Sequence, residues 1–243
     1  MDHPEKGQAF AQYVQSRPNQ PGAQGRAKIY LQPIGKFAAG GVGVEAIRSY
    51  LEAFFMPLLV DVLPPLDSEN LMVRHRKNSI SGQLQWNCTD LLDELERRVP
   101  IDAYIVMGIT ETDLYPADNW NFVFGMARLK NRVGVFSLAR YNSGDSRQKL
   151  IRALRVVSHE TGHAFGMAHC IHFRCLMNGV NHQTEADKVP LSLCPVCLRK
   201  LHYATKFDPV ERYFRLEKWC ESFELKQNAK WFGRRHSAVS SAK

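Results

Sequence analysis

The run HETGHAFGMAH, from His159 to His169, constrains this chain more than any other stretch. It fits the pattern H-E-x-x-H-x-x-G-x-x-H, and each fixed position has a mechanical meaning. On a helix, residues four apart stand one turn above each other, so the imidazoles of His159 and His163 project from one face and can share a zinc ion. Glu160 sits about 100° further round, off the metal but within reach of a water bound there. Gly166 can take the left-handed conformation that ends a helix, turning the chain so that His169 meets the same ion from another side. Three protein ligands leave a fourth position for water, as catalytic zinc requires. With His at roughly 2% and Glu at roughly 6% of residues, H-E-x-x-H alone arises by chance in about 0.5% of chains this long. The added glycine and histidine lower that to the order of 0.001%, so accidental core histidines are a poor account.

A second group of ligand-type residues follows at once. Cys170-x4-Cys175 and Cys194-x2-Cys197 have spacings suited to tetrahedral thiolate coordination. Whether such pairs hold metal or form two disulfides depends on the compartment. The start, MDHPEKGQAFAQYVQ, lacks the basic and apolar regions of a signal peptide, and no run approaches the roughly 18 apolar residues of a membrane helix. Cytoplasmic or nuclear residence, without secretion or membrane insertion, is the expectation, and reduced thiols there favour a closed structural zinc site. The chain is thus expected to hold two zinc ions, one catalytic and one structural. Cys88 and Cys220 lie outside both pairs and read as core thiols. No cysteine occurs among the first 87 residues, so a cysteine switch is not expected, and Asp2 and Glu5 are too generic to argue for an acidic one.

With 243 residues the chain is long enough for one domain with an appendage. Residues 1–25, rich in Gln, Pro and Gly, read as a flexible lead-in. Then segment types alternate. KIYLQPIG reads as a strand, VGVEAIRSYLEAFF as a helix after the Gly40-Gly41 pair, PLLVDVLPPL as a strand, and WNCTDLLDELERRV as a helix. DAYIVMGIT is a nearly continuous apolar run, as in a strand buried on both faces, and RVGVFSLARY is another strand. Asp145 and Gln148 suggest a capping box opening the histidine-bearing helix, whose apolar face is Leu150, Leu154, Val157, Thr161 and Phe165. The order predicts an α/β fold with a helical, cysteine-rich end. The net charge of +8 comes largely from residues 226–243, which carry five basic residues and no acidic one. This reads as a solvated basic tail, leaving 26–225 as the working domain.

Histidine, glutamate and glycine, then Cys170, Cys175, Met177, Cys194 and Cys197, fall in one order and spacing. In this the chain resembles the metzincin clan of zinc peptidases and, within it, the archaemetzincin family. The likeness extends from about Arg26 to Arg215, through ITETDLYPADNWNFVFG and VGVFSLARY. It implies a single compact metzincin-like α/β domain: a mixed sheet, a strand edge above the active-site helix, Met177 in a turn beneath the metal, and a four-cysteine zinc stabilising the C-terminal part. It further implies a peptidase, with aminopeptidase-like action on small peptides associated with the family although the motif is shared with endopeptidases.

The expected reaction is peptide-bond hydrolysis by a zinc-activated water with Glu160 as general base, acting on a peptide or protein substrate. The strand Val133–Ser137 is the expected edge against which an extended peptide would lie. The main alternative is a catalytically idle metzincin scaffold that only binds peptides or proteins, which the intact Glu160 disfavours. A nucleic-acid partner is disfavoured as well, because the cysteine cluster lacks interleaved basic and aromatic residues and a basic tail alone binds weakly. Tyr115, His172, His182 and Tyr203 are of types that donate protons or stabilise an oxyanion, but packing or surface roles fit each taken alone.

Overall fold

The computed structural model describes residues 6–38, 42–141, 145–180 and 182–242. Gly40 and Gly41, like Asp2 and Glu5, lie outside them. The elements run α1 (Phe10–Gln15), β1 (Lys28–Ile34), α2 (Val44–Phe54), β2 (Leu59–Val62), β3 (His75–Lys77), β4 (Leu84–Asn87), α3 (Cys88–Glu96), β5 (Ala103–Thr110), β6 (Asp113–Tyr115), β7 (Gly125–Arg128), β8 (Val133–Ser137), α4 (Ser146–Ala164), α5 (Gln183–Ala186), α6 (Pro195–Thr205), α7 (Pro209–Ser222) and α8 (Lys226–Ser240). The result is a mixed α/β architecture.

The main sheet has the order β2-β1-β5-β8-β7, parallel except for the antiparallel β7. Its central strand β5 is buried at every residue, which is why it reads as an unbroken apolar run. Ile105, Met107 and Ile109 face a large core shared with α2, α4, α6 and α7, while Ala103 and Val106 face a smaller core built with α3. Helices cover both faces of the sheet, with the histidine-bearing α4 on the larger side. A second sheet, β3-β4-β6, flanks it.

Three expectations change. Val133–Ser137 is not the edge: β8 lies between β5 and β7, so the edge strand is Gly125–Arg128, inside the aromatic connection. A four-residue strand containing Gly and Ala carries too little period-2 pattern to be seen in sequence. The supposed flexible lead-in contains α1, whose Tyr13 is 0% exposed and donates from its hydroxyl to the Phe165 carbonyl (2.8 Å). The supposed tail from Lys226 forms α8, which buries Ala229 and Phe232 beside α7. The sequence numbers of its basic residues conceal that its apolar residues share one face. No described helix is long and apolar enough to cross a membrane.

Candidate zinc centre and substrate cleft

Helix α4 begins where the Asp145 carboxylate accepts from the Arg147 N–H, an N-cap without the reciprocal half of a capping box. Gln148 donates instead to Asp187 (3.2 Å). Leu150, Leu154, Val157, Thr161 and Phe165 face the core as expected. The helix ends at Gly166, φ +76°, where a Cβ would also lie 2.9 Å from Pro18 Cβ. The lead-in braces the turn that follows. Gln8 donates to the Gly166 carbonyl (3.2 Å) and accepts from the Ala168 N–H (3.2 Å), while the Lys200 ammonium donates to both oxygens of Gln8.

That turn brings His169 back onto the helix. His159 Nε2 lies 3.0 Å from His163 Nε2 and 3.2 Å from His169 Nε2. The Nδ1–H of His159 donates to the Leu176 carbonyl (2.9 Å), and that of His163 to the Met167 carbonyl (2.7 Å). A carbonyl can only accept, so these two rings carry their protons on Nδ1 and present bare Nε2 lone pairs to each other. Converging lone pairs repel unless a cation lies between them. Zinc–nitrogen bonds of about 2.0–2.1 Å at tetrahedral angles put the nitrogens about 3.3 Å apart, so the cluster fits zinc. Burial first, and the neighbouring His163 second, push His159 down to about 3, keeping it neutral and able to ligate.

Glu160 projects from the next position into a cavity of about 410 Å³ that His159 and His169 also line. Burial pushes its carboxyl up to about 7. The edge strand β7 passes directly over it: a Cβ on Gly125 would meet Glu160 Cγ at 3.0 Å and the Val135 carbonyl oxygen at 2.9 Å, so glycine is what the approach permits. Beneath the histidines, Met177 is fully buried, and a Cβ on Gly162 would fall 2.5 Å from its sulfur. This explains a glycine inside a helix, where it costs about 1 kcal/mol against alanine.

Cys170, Cys175, Cys194 and Cys197 are all buried free thiols, their sulfurs within 4.8 Å of one another. Cys170 Sγ and Cys194 Sγ are 3.8 Å apart, close to the spacing of about 3.8 Å expected around a tetrahedral zinc with bonds of about 2.3 Å. Backbone N–H groups of Met177 and Cys194 donate to Cys175 Sγ, and that of Cys197 to Cys194 Sγ. Donors aimed at sulfur suit thiolates. Cys88 and Cys220 are buried elsewhere, as expected.

Asn178, which the sequence did not single out, braces the Cys170–Cys175 loop that directly follows His169. Its amide donates to the Cys170 and Phe173 carbonyls (2.5 and 2.8 Å), its oxygen accepts from the Cys175 N–H (2.8 Å), and the Cys170 N–H donates to the Met177 carbonyl (2.7 Å). A signal was present, since Asn beside the turn methionine can donate and accept at once. Arg152, Arg155 and Tyr141 also line the cavity; they too were missed, for on α4 the two arginines look like its solvated face. Tyr115, His172, His182 and Tyr203 do not line it. His182 caps α5, and Tyr203 packs on Phe10 and Tyr13.

A mixed sheet with two histidines on the helix below its edge strand and a third on the turn that follows is the arrangement of a zinc metallopeptidase, and comparison with known proteins shows that class. The model of peptidase family M54 matches residues 70–203. Archaemetzincin-2 of Rattus norvegicus is 37% identical over 254 residues, covering 90% of this chain and 71% of the relative. Archaemetzincin-1 of Homo sapiens is 31% identical, and there the chain spans 52% of the relative's length. Among solved structures, archaemetzincin from Archaeoglobus fulgidus complexed with malonate shares 31% identity at a TM-score of 0.56, covering 71% of this chain and 99% of that one. Archaemetzincin from Methanopyrus kandleri shares 26% at 0.60, covering 76% and 98%. The chain belongs to peptidase family M54, the archaemetzincins.

Proposed function

We propose that His159, His163 and His169 hold the catalytic zinc of this metallopeptidase, that Glu160 is its general base, and that Cys170, Cys175, Cys194 and Cys197 hold a second, structural zinc. The converging Nε2 lone pairs carry this reading. Zinc in that position supplies Lewis acidity, lowering the pKa of a water and polarising the scissile carbonyl. Glu160, with a carboxyl near neutrality, takes the proton of the attacking water and returns it to the leaving amine. The chain's own walls do the positioning. Alternation along the antiparallel pair turns the N–H and C=O groups of Gly125 and Ala127 away from β8, where an extended substrate can pair with them.

A cavity of about 410 Å³ suits a few residues, which supports action on short peptides, including aminopeptidase-like removal of an N-terminal residue. The test is a peptide mixture incubated with zinc-loaded wild type and Glu160→Gln, with products read by mass. Cleavage by wild type alone supports the reading, and product masses separate aminopeptidase from endopeptidase action. Equal cleavage by both removes Glu160 from the chemistry. No cleavage by either leaves an idle binding scaffold.

A further inference from the structure

Two arginines, Arg152 and Arg155, line the cleft, and they share one carboxylate, Asp187. Arg155 stands one helical turn before His159, about 6 Å along α4, and lines the same cavity. Its side chain is 17% exposed, and both Nε and Nη1 are buried with no hydrogen-bond partner among the described residues. The carboxylate that approaches it, Asp187, is already taken. Asp187 accepts from Arg152 Nε and Nη2 at 2.8 and 2.6 Å, from Gln148 at 3.2 Å and from Gln183 at 3.0 Å, leaving Arg155 Nη1 at 3.5 Å. Arg174 adds a further repulsive charge nearby, while its own Nε donates to the Lys188 carbonyl. A buried guanidinium that lacks two hydrogen bonds and shares a saturated counter-ion is costly unless a ligand completes it.

The same wall offers a matching acceptor. Gln183 is oriented by its side-chain N–H to Asp187, which leaves its side-chain oxygen buried with no hydrogen-bond partner among the described residues. Arg155 and Gln183 line the same cavity, and donors from the first with an acceptor from the second complement a carboxylate next to a peptide N–H. One helical turn separates Arg155 from His159 and both line one cavity, so a group bound by Arg155 belongs to a substrate residue close to the scissile bond. We propose that this cleft selects peptides with a carboxylate in that position, bound by Arg155, either as an Asp or Glu side chain or as a nearby C-terminus. The proposal rests on peptide binding at the zinc cleft.

Binding to the zinc-loaded Glu160→Gln protein, measured by calorimetry, tests it without turnover. The probes are one short peptide with all carboxylates amidated, the same peptide with Gln→Glu at each position in turn, and truncated forms ending in a free carboxylate. At least tenfold tighter binding of one acidic form is expected, and its identity separates side chain from C-terminus. Adding Arg155→Gln should bring that ratio below about threefold, and Arg155→Lys should restore part of it. Ratios within threefold throughout, or a preference that survives Arg155→Gln, would overturn the proposal. If Arg155→Gln does not fold, the charge-keeping Arg155→Lys decides the matter by a reduced but measurable preference, and an unchanged preference there overturns it. Acidic preference without any cleavage by wild type supports this proposal while refuting hydrolysis, and cleavage without acidic preference does the reverse.

Discussion

Glu160 lies so close under the edge strand that a Cβ on Gly125 would crowd its side chain, and its carboxyl is where the proposed chemistry is tested. Glu160→Gln keeps the shape and removes the proton acceptor. It should lower kcat by about 10²–10⁴-fold with zinc content and Tm nearly unchanged, checked by kinetics and metal analysis on one preparation. Tyr13 offers a stability test at the same scale. It is wholly buried, and its hydroxyl reaches the carbonyl that precedes Gly166. Tyr13→Ala should destabilise the chain by about 3–5 kcal/mol in denaturant unfolding. The histidine and cysteine clusters were legible in the sequence because metal chemistry would fix both residue type and spacing. Gly125, Asn178 and Arg155 were not, because what they do depends on neighbours far away in the chain.

At the scale of elements, local pattern served well where burial was uniform and poorly where it was not. The strand β5 and the helix α4 declare themselves through continuous or periodic apolar residues. The edge strand β7 is half-buried at all four residues and was misplaced onto β8. If β7 holds the substrate backbone, Ala127→Pro removes an outward N–H and should raise KM several-fold while leaving zinc content intact; an unchanged KM would discard strand addition. The far wall of the cleft depends on Arg152 and Asp187. That arginine holds the Asp187 carboxyl below its ordinary value, so the pair's contribution is complete above about pH 3.9 and fades as pH falls through the folded value. The stability gap between wild type and Asp187→Asn should therefore be flat from pH 8 to about pH 5 and close in stronger acid, as followed by thermal unfolding.

Over the whole molecule, the two clusters form one unit. His169 and Cys170 are adjacent, the Asn178 side chain binds the loop from Cys170 to Cys175, and Gln8, held by Lys200, clamps the stretch from Gly166 to Ala168. Loss of the cysteine site should therefore loosen the histidine site as well: Cys194→Ser with Cys197→Ser should lower Tm and release both metals, whereas loss of the histidine site should leave the fold standing. The sequence carried both clusters and the α/β order, but not the way Gln8 and α1 brace the histidine loop or α8 packs on α7, since short amphipathic helices show their apolar face only against a partner. The most direct test is the zinc content per chain of purified wild type and His163→Ala, with peptide cleavage read on the same samples. The account predicts two zinc ions and cleavage for wild type, and one zinc, a near-native Tm and no cleavage for the variant. Equal zinc in both, or undiminished cleavage by His163→Ala, would contradict it.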